Sequence, residues 1–262
     1  PLIALVGQPN VGKSTVFNLL TGMNQHVGNW PGKTVERKEG RYKHGGKTFT
    51  LVDLPGTYSL SANSAEELIT REFILTESPD LVVALVNAAN LERSLYLVAE
   101  LVTLPAPLLI VLNMMDVAKQ EGYRIEPEVL EAALGVPVIA FTATHMDSVQ
   151  PLMVVIQDIL ESKVKSQPKT PVIRQDHQAV LDHVIQLLCP YPFTPYPREW
   201  IALKLLEGDT EITRRVKAAL PDEEWQTLHD LLKQHDDALL AIASGRYEWI
   251  GRMTRAAVTH PK

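Results

Sequence analysis

Lys13 and Ser14 stand near the end of the stretch Gly7-Gln8-Pro9-Asn10-Val11-Gly12-Lys13-Ser14-Thr15. A glycine, four intervening residues and then Gly-Lys-Ser is the spacing of a phosphate-binding loop. The chemistry it offers is capture of a polyphosphate together with a divalent cation. Glycine at both ends lets backbone N–H groups wrap the phosphate oxygens. The Lys13 ammonium reaches the β and γ oxygens, and the Ser14 hydroxyl is a ligand for Mg²⁺. The loop follows the apolar run Leu2–Val6 and opens a helical pattern at Lys13. The positive end of that helix then faces the same phosphates. Gly7, Asn10, Val11, Gly12, Lys13, Ser14 and Thr15 are the expected phosphate contacts.

The base-reading chemistry lies further along. Asn113-Met114-Met115-Asp116 follows an apolar run and resembles the motif by which GTPases select guanine. A carboxylate at Asp116 accepts two hydrogen bonds from the guanine N–H edge, a pair of donors that adenine lacks. Lysine usually fills the second position, and Met114 forgoes its polar contact over the base. Thr142-Ala143-Thr144, after a later apolar run, resembles the short loop whose backbone N–H meets the base oxygen. Asp53-Leu54-Pro55-Gly56 ends another apolar run in the pattern Asp-x-x-Gly. There Asp53 would hold Mg²⁺ through water and the Gly56 amide would touch the γ-phosphate. Thr34, in Val27-Gly28-Asn29-Trp30-Pro31-Gly32-Lys33-Thr34, is the candidate to complete the magnesium shell. The glycines and proline of that segment also suit a plain surface loop.

Lys13, Asn10, Thr34 and Gly56 are thus the expected catalytic set, with Ser14, Thr34 and Asp53 on Mg²⁺. Hydrolysis is expected to be slow, because Thr57 stands where Ras-like switches place a water-orienting glutamine. A charge supplied in trans, or a monovalent cation such as K⁺ held by Asn10, would fill that gap. An ordinary turn role for Asn10 is equally open. Glu66 and Glu67 read mainly as a solvated acidic helix face.

Such residues must be held at strand ends. Short apolar runs at Leu2–Val6, Thr48–Val52, Leu81–Val86, Leu108–Leu112 and Val136–Phe141 read as buried, mostly parallel strands. Helical patterns separate them at Lys13–Leu20, Ala65–Leu75, Leu95–Leu104 and Pro127–Leu134. A sixth strand, Glu36–Tyr42, is antiparallel across the turn at Gly45-Gly46. The fold class is α/β: a doubly wound, mostly parallel six-stranded sheet whose ligand sits at the strand C-termini. A last helix over Ser148–Lys165 closes this domain, taken as residues 1–165. The polar, proline-bearing segment 166–172 is a linker. Residues 173–262 lack strand-like alternation and read as a small helical domain, with helices at Arg174–Leu188, Arg198–Leu206, Glu211–Leu220 and Asp222–Ile242.

Composition narrows the class. Hydrophobic residues make up 45% of 262, enough for a sizeable core, and the net charge is -6. An acidic balance argues against a nucleic-acid binder. One cysteine, Cys189, allows no disulfide framework, and the eight histidines show no zinc-site spacing. No apolar stretch reaches membrane-spanning length.

Val27–Glu36 resembles the first switch of the FeoB family of bacterial ferrous iron transporters, and Asp53-Leu54-Pro55-Gly56-Thr57-Tyr58-Ser59-Leu60 resembles its second. Asn90-Leu91-Glu92-Arg93-Ser94-Leu95-Tyr96-Leu97 and the Met114-containing base motif are similar to that family too, with a fainter echo at Arg246-Tyr247 and Trp249-Ile250. The resemblance implies a cytoplasmic GTPase domain, then a helical spacer acting as a dissociation inhibitor, then a membrane domain carrying Fe²⁺ on the same polypeptide. It further implies GTP or GDP with Mg²⁺, potassium activation, small accessory iron-transport proteins, and a place on the cytoplasmic side of the inner membrane; a homo-oligomer stays open. Two other readings stay open: a soluble GTPase of tRNA modification or ribosome assembly, and a nucleotide-gated interaction module with negligible hydrolysis.

Overall fold

The structure, a computed structural model, describes residues 1–142, 146–164 and 166–260. Strands β1 (Leu2–Gly7), β2 (Gln25–Asn29), β3 (Glu36–His44), β4 (Lys47–Asp53), β5 (Leu81–Asn87), β6 (Leu108–Asn113), β7 (Arg124–Ile125) and β8 (Val138–Ala140) alternate with helices in the first part of the chain, and a ninth strand, β9 (Val258–Thr259), lies at the far end. Those helices are α1 (Lys13–Thr21), α2 (Ala65–Glu77), α3 (Leu91–Leu101), α4 (Met115–Gln120), α5 (Pro127–Leu134) and α6 (Val149–Leu160). Beyond them come α7 (Gln175–Leu188), α8 (Arg198–Leu206), α9 (Thr210–Ala219), α10 (Asp222–Gln234) and α11 (Ala238–Ala257).

The main sheet runs β2-β3-β4-β1-β5-β6-β8, with β4, β1, β5, β6 and β8 mutually parallel and the β2–β3–β4 edge antiparallel. The doubly wound class holds, with seven strands rather than six. The added strand, β2, is exposed throughout. It pairs with β3, Val27 opposite Lys38, so the candidate first switch folds as a hairpin.

Alternation along the central strands feeds two cores. Ile3 and Leu5 face the side covered by α1 and α6, through Val16, Phe17, Leu152 and Ile156. Ala4 and Val6 face the side covered by α2, α3 and α5, and Trp200, Ile201, Ile242 and Trp249 of the helical part join that same core. A strand has two faces, so apolar residues at every position bury it on both.

The helical part differs from expectation in two ways. The helix expected over Asp222–Ile242 is two helices, broken at His235–Asp237, and α11 continues to Ala257. The break lets α11 turn back along α3 and α5, burying Ile242, Trp249, Ile250 and Ala257. After α11 the chain forms β9, which pairs with β7, so a strand does follow the linker. The linker is pinned as well: the Gln167 and Lys169 N–H groups donate to the Gly135 and Leu134 carbonyls at 2.8 and 2.9 Å. The closing helix of the first part ends at Leu160, short of Lys165, which lies outside the described residues.

Candidate nucleotide-binding site

The loop between β1 and α1 has the backbone needed to turn N–H groups inward. Asn10 has φ 64° and Gly12 φ 89°. Asparagine tolerates this left-handed region, and glycine enters it without cost. A second reason for glycine at position 12 is contact. A Cβ there would lie 2.2 Å from Asn113 Nδ2. That amide donates to the Val11 carbonyl at 2.9 Å and is buried. The phosphate loop and the base motif are therefore fastened together by a single buried hydrogen bond.

Gly56 lies against the same loop, where a Cβ would meet Pro9 N and Cα at 3.2 Å. The Thr57 N–H donates to the Gly7 carbonyl at 3.1 Å. The Lys13 ammonium contacts the Asp53 carboxylate, both largely buried. Gly7, Val11, Gly12, Lys13, Asp53, Gly56 and Asn113 thus converge at the C-terminal ends of β1, β4 and β6. Asn10, Ser14 and Thr15 border them with exposed side chains. Met114 turns the chain at φ 60° before α4, and Asp116 is exposed in the first turn of that helix. Thr142 follows β8 and is half-buried, while Ala143 and Thr144 lie outside the described residues.

Thr34 stands on the exposed turn of the β2–β3 hairpin. Neighbouring Trp30 is buried instead, edge-on to Phe73 of α2 at 5.7 Å, with the Arg37 guanidinium 4.7 Å above its ring. The hairpin thus packs on α2 through Trp30. The Thr57 hydroxyl donates to the Ser59 carbonyl at 2.6 Å, so its side chain is engaged within its own loop.

Several residues beyond the expected set hold the second switch. Gln8, inside the phosphate loop, is buried and donates to the Arg93 carbonyl at 2.6 Å. Glu67 is no free acidic face: it accepts from the Ser59 and Ser61 hydroxyls, both at 2.7 Å, while Ser64 caps the Glu67 N–H. Ser64-Ala65-Glu66-Glu67 carries the Ser-x-x-Glu spacing of a capping box, which was a legible signal. The peptide of Leu60 is gripped from both sides. Its N–H donates to Glu100 at 2.7 Å, and its carbonyl accepts from Arg71 at 3.2 Å. Arg71 pairs with Asp209 at 2.7 Å, and Glu100 with Lys204 at 3.2 Å, so both grips run into the helical part. Nothing in the sequence distinguishes these charges from solvated ones.

The comparisons with known proteins agree on both parts. The family model for ferrous iron transport protein B matches residues 2–156, and that for the FeoB cytosolic helical domain matches 175–259. The Fe(2+) transporters FeoB of Shigella flexneri and Escherichia coli K12 are 40% and 39% identical over 255 residues, 95% of this chain. The chain spans 32% of the length of each. A structure of an S. thermophilus NFeoB mutant bound to GDP superposes with a TM-score of 0.87 at 33% identity, covering 98% of this chain and 99% of that one. The cytosolic domain of the T. maritima FeoB iron transporter in its GMPPNP form gives 0.84 at 32%, again covering 98% and 99%. The L. pneumophila FeoB cytosolic domain gives 0.85 at 32%, covering 99% and 100%. With both family models matched in order on one continuous fold, this chain belongs to the FeoB family of ferrous iron transport proteins.

Proposed function

We propose that this chain is the guanine-nucleotide switch of a ferrous iron transporter, binding GTP and GDP and hydrolysing GTP slowly. The observation that carries the reading is the buried Asn113–Val11 hydrogen bond, which fastens a base-reading motif to a phosphate loop. The GDP-bound and GMPPNP forms of its structural neighbours support it. Residues 1–165 are the switch, 166–172 the joint and 173–262 the helical reporter. The membrane domain that passes Fe²⁺ belongs to the rest of the natural polypeptide, which places this chain on the cytoplasmic face of the inner membrane. No described helix is long and apolar enough to cross a membrane.

The donor set suits magnesium: the Ser14 hydroxyl and the Asp53 carboxylate are hard oxygen ligands beside the Lys13 ammonium. Thr34, on the exposed hairpin turn, would supply a third oxygen. Bound Mg²⁺ supplies charge neutralisation at the β and γ oxygens. In this reading the Asp116 carboxylate recognises the guanine N–H edge, with Met114 and the 142–144 loop beside the base. Lys13 and the loop amides from Asn10 to Thr15 bind phosphate, and the Gly56 amide orients the γ-phosphate. Asn10 is exposed in the loop at φ 64°, and in this reading its side-chain amide oxygen would hold K⁺.

Turnover of GTP in K⁺ and in Na⁺ at equal ionic strength tests this, in the wild type and in Asn10→Gly. Glycine is the proper substitution, because φ 64° would strain alanine. Faster turnover in K⁺ that disappears in Asn10→Gly is the expected result. Turnover no faster than buffer hydrolysis in either salt would overturn the enzymatic reading and leave a module that only binds.

A further inference from the structure

We infer that Arg93 is a positioning residue for GTP hydrolysis, acting through Tyr58; the inference rests on the switch reading above. Thr57 occupies the position from which such enzymes orient the attacking water, yet its hydroxyl is spent on the Ser59 carbonyl at 2.6 Å. What the second switch can present to the phosphate is therefore its backbone, and the placement of that backbone decides the rate.

Three anchors set it. On the near side the Thr57 N–H donates to the Gly7 carbonyl at 3.1 Å. On the far side the Leu60 peptide is gripped by Glu100 and Arg71. Between them Tyr58 projects outward, 46% exposed, and its contact with α3 is the Arg93 guanidinium, 4.7 Å from the ring centroid. Arg93 is also tied to the phosphate loop, since its carbonyl accepts from the buried Gln8 amide at 2.6 Å. One residue in the first turn of α3 thus touches both halves of the phosphate site: the loop through its backbone, the switch through its side chain. A cation over an aromatic face attracts it even in water. That attraction limits the swing of the Tyr58 peptide, and with it the neighbouring Gly56 and Thr57 amides.

The test is single-turnover GTP hydrolysis, with GDP affinity and melting temperature measured alongside. Variants are Arg93→Ala, Arg93→Lys, Tyr58→Ala and the Arg93→Ala/Tyr58→Ala double. An exposed cation–π contact predicts about a two- to fivefold loss of rate in Arg93→Ala. GDP affinity and melting temperature stay at wild-type values, because the Arg93 side chain is exposed and its carbonyl survives the substitution. Arg93→Lys recovers part of the rate, and the double variant is no slower than the slower single. An unchanged rate in Arg93→Ala overturns the inference alone. So does a loss that multiplies with that of Tyr58→Ala, or one that travels with the melting temperature. A wild type without turnover overturns the proposed function itself and the inference with it.

Discussion

Lys204→Met tests whether the buried charges between the two parts of the chain are structural necessities. The Lys204 ammonium lies 3.2 Å from Glu100 and 3.2 Å from Glu207, and Arg246 contacts Glu207 and stands 4.0 Å from Glu100. The four side chains are between 4% and 10% exposed, so two cations balance two anions out of reach of water. Methionine matches lysine in length and fits beside Trp200, whose ring lies 5.7 Å from the ammonium. The packing survives, and the buried charge goes from balanced to one negative. Breaking a buried pair from one side costs about 3–5 kcal/mol. For a chain of this size each kcal/mol lowers the melting temperature by about 2–4 °C, so a fall of about 6–20 °C is expected in a calorimetric scan. Glu100→Gln in the same molecule removes the orphaned charge while keeping a carbonyl oxygen for the Leu60 N–H. The double variant should therefore recover at least half of the loss. A fall below about 2 °C in Lys204→Met, or a double variant as unstable as the sum of the singles, would refute the reasoning.

Other consequences follow from single positions. Gly12→Ala strains a residue at φ 89° and drives Cβ into Asn113 Nδ2, breaking the bond to Val11. Strain and the lost bond together cost about 2–5 kcal/mol, at least about a thirtyfold loss of GDP affinity by calorimetry; unchanged affinity would contradict the site. If Thr34 is drawn to magnesium as proposed and buried Trp30 leaves Phe73 with it, exchange of GDP for a non-hydrolysable GTP analogue should redden indole emission in the wild type but not in Trp30→Phe. Identical spectra for both nucleotides would mean the hairpin stays put. Tyr42 is buried and stacked on Phe49 at 4.9 Å, and burial raises its phenol well above the ordinary value of 10.0. The unfolded chain then loses that proton first, so stability falls as pH rises past about 10. Its hydroxyl has no partner among the described residues, so Tyr42→Phe should flatten the alkaline limb of stability against pH with no loss near neutrality. A loss above about 1 kcal/mol in urea unfolding would show a hidden hydrogen bond.

The phosphate loop, the Asp-x-x-Gly turn and the base motif were legible because each is a local solution. Glycine spacing fixes a backbone shape, and the apolar runs beside it fix the strand that presents it. The central strands were equally plain, since burial on both faces leaves nothing but apolar residues at Ile3–Val6 or Leu108–Leu112. Strand β2 carried no such mark. Gln25–Asn29 is exposed throughout, and pairing with β3 alone makes it a strand. The break at His235–Asp237 was invisible for a related reason: those residues are compatible with a helix, and the turn is imposed by what α11 gains in packing on α3 and α5. Charge was the hardest to read. Arg71, Glu100 and Lys204 are by type surface residues, and in a sequence nothing separates them from solvated ones. Residues 138 positions apart become the Arg71–Asp209 pair, and 104 apart the Lys204–Glu100 pair. The sequence by itself determined which chemistry the chain can hold. The tertiary structure decided which buried charges hold the switch to the helical part, because only folding removes the water that would otherwise make them interchangeable.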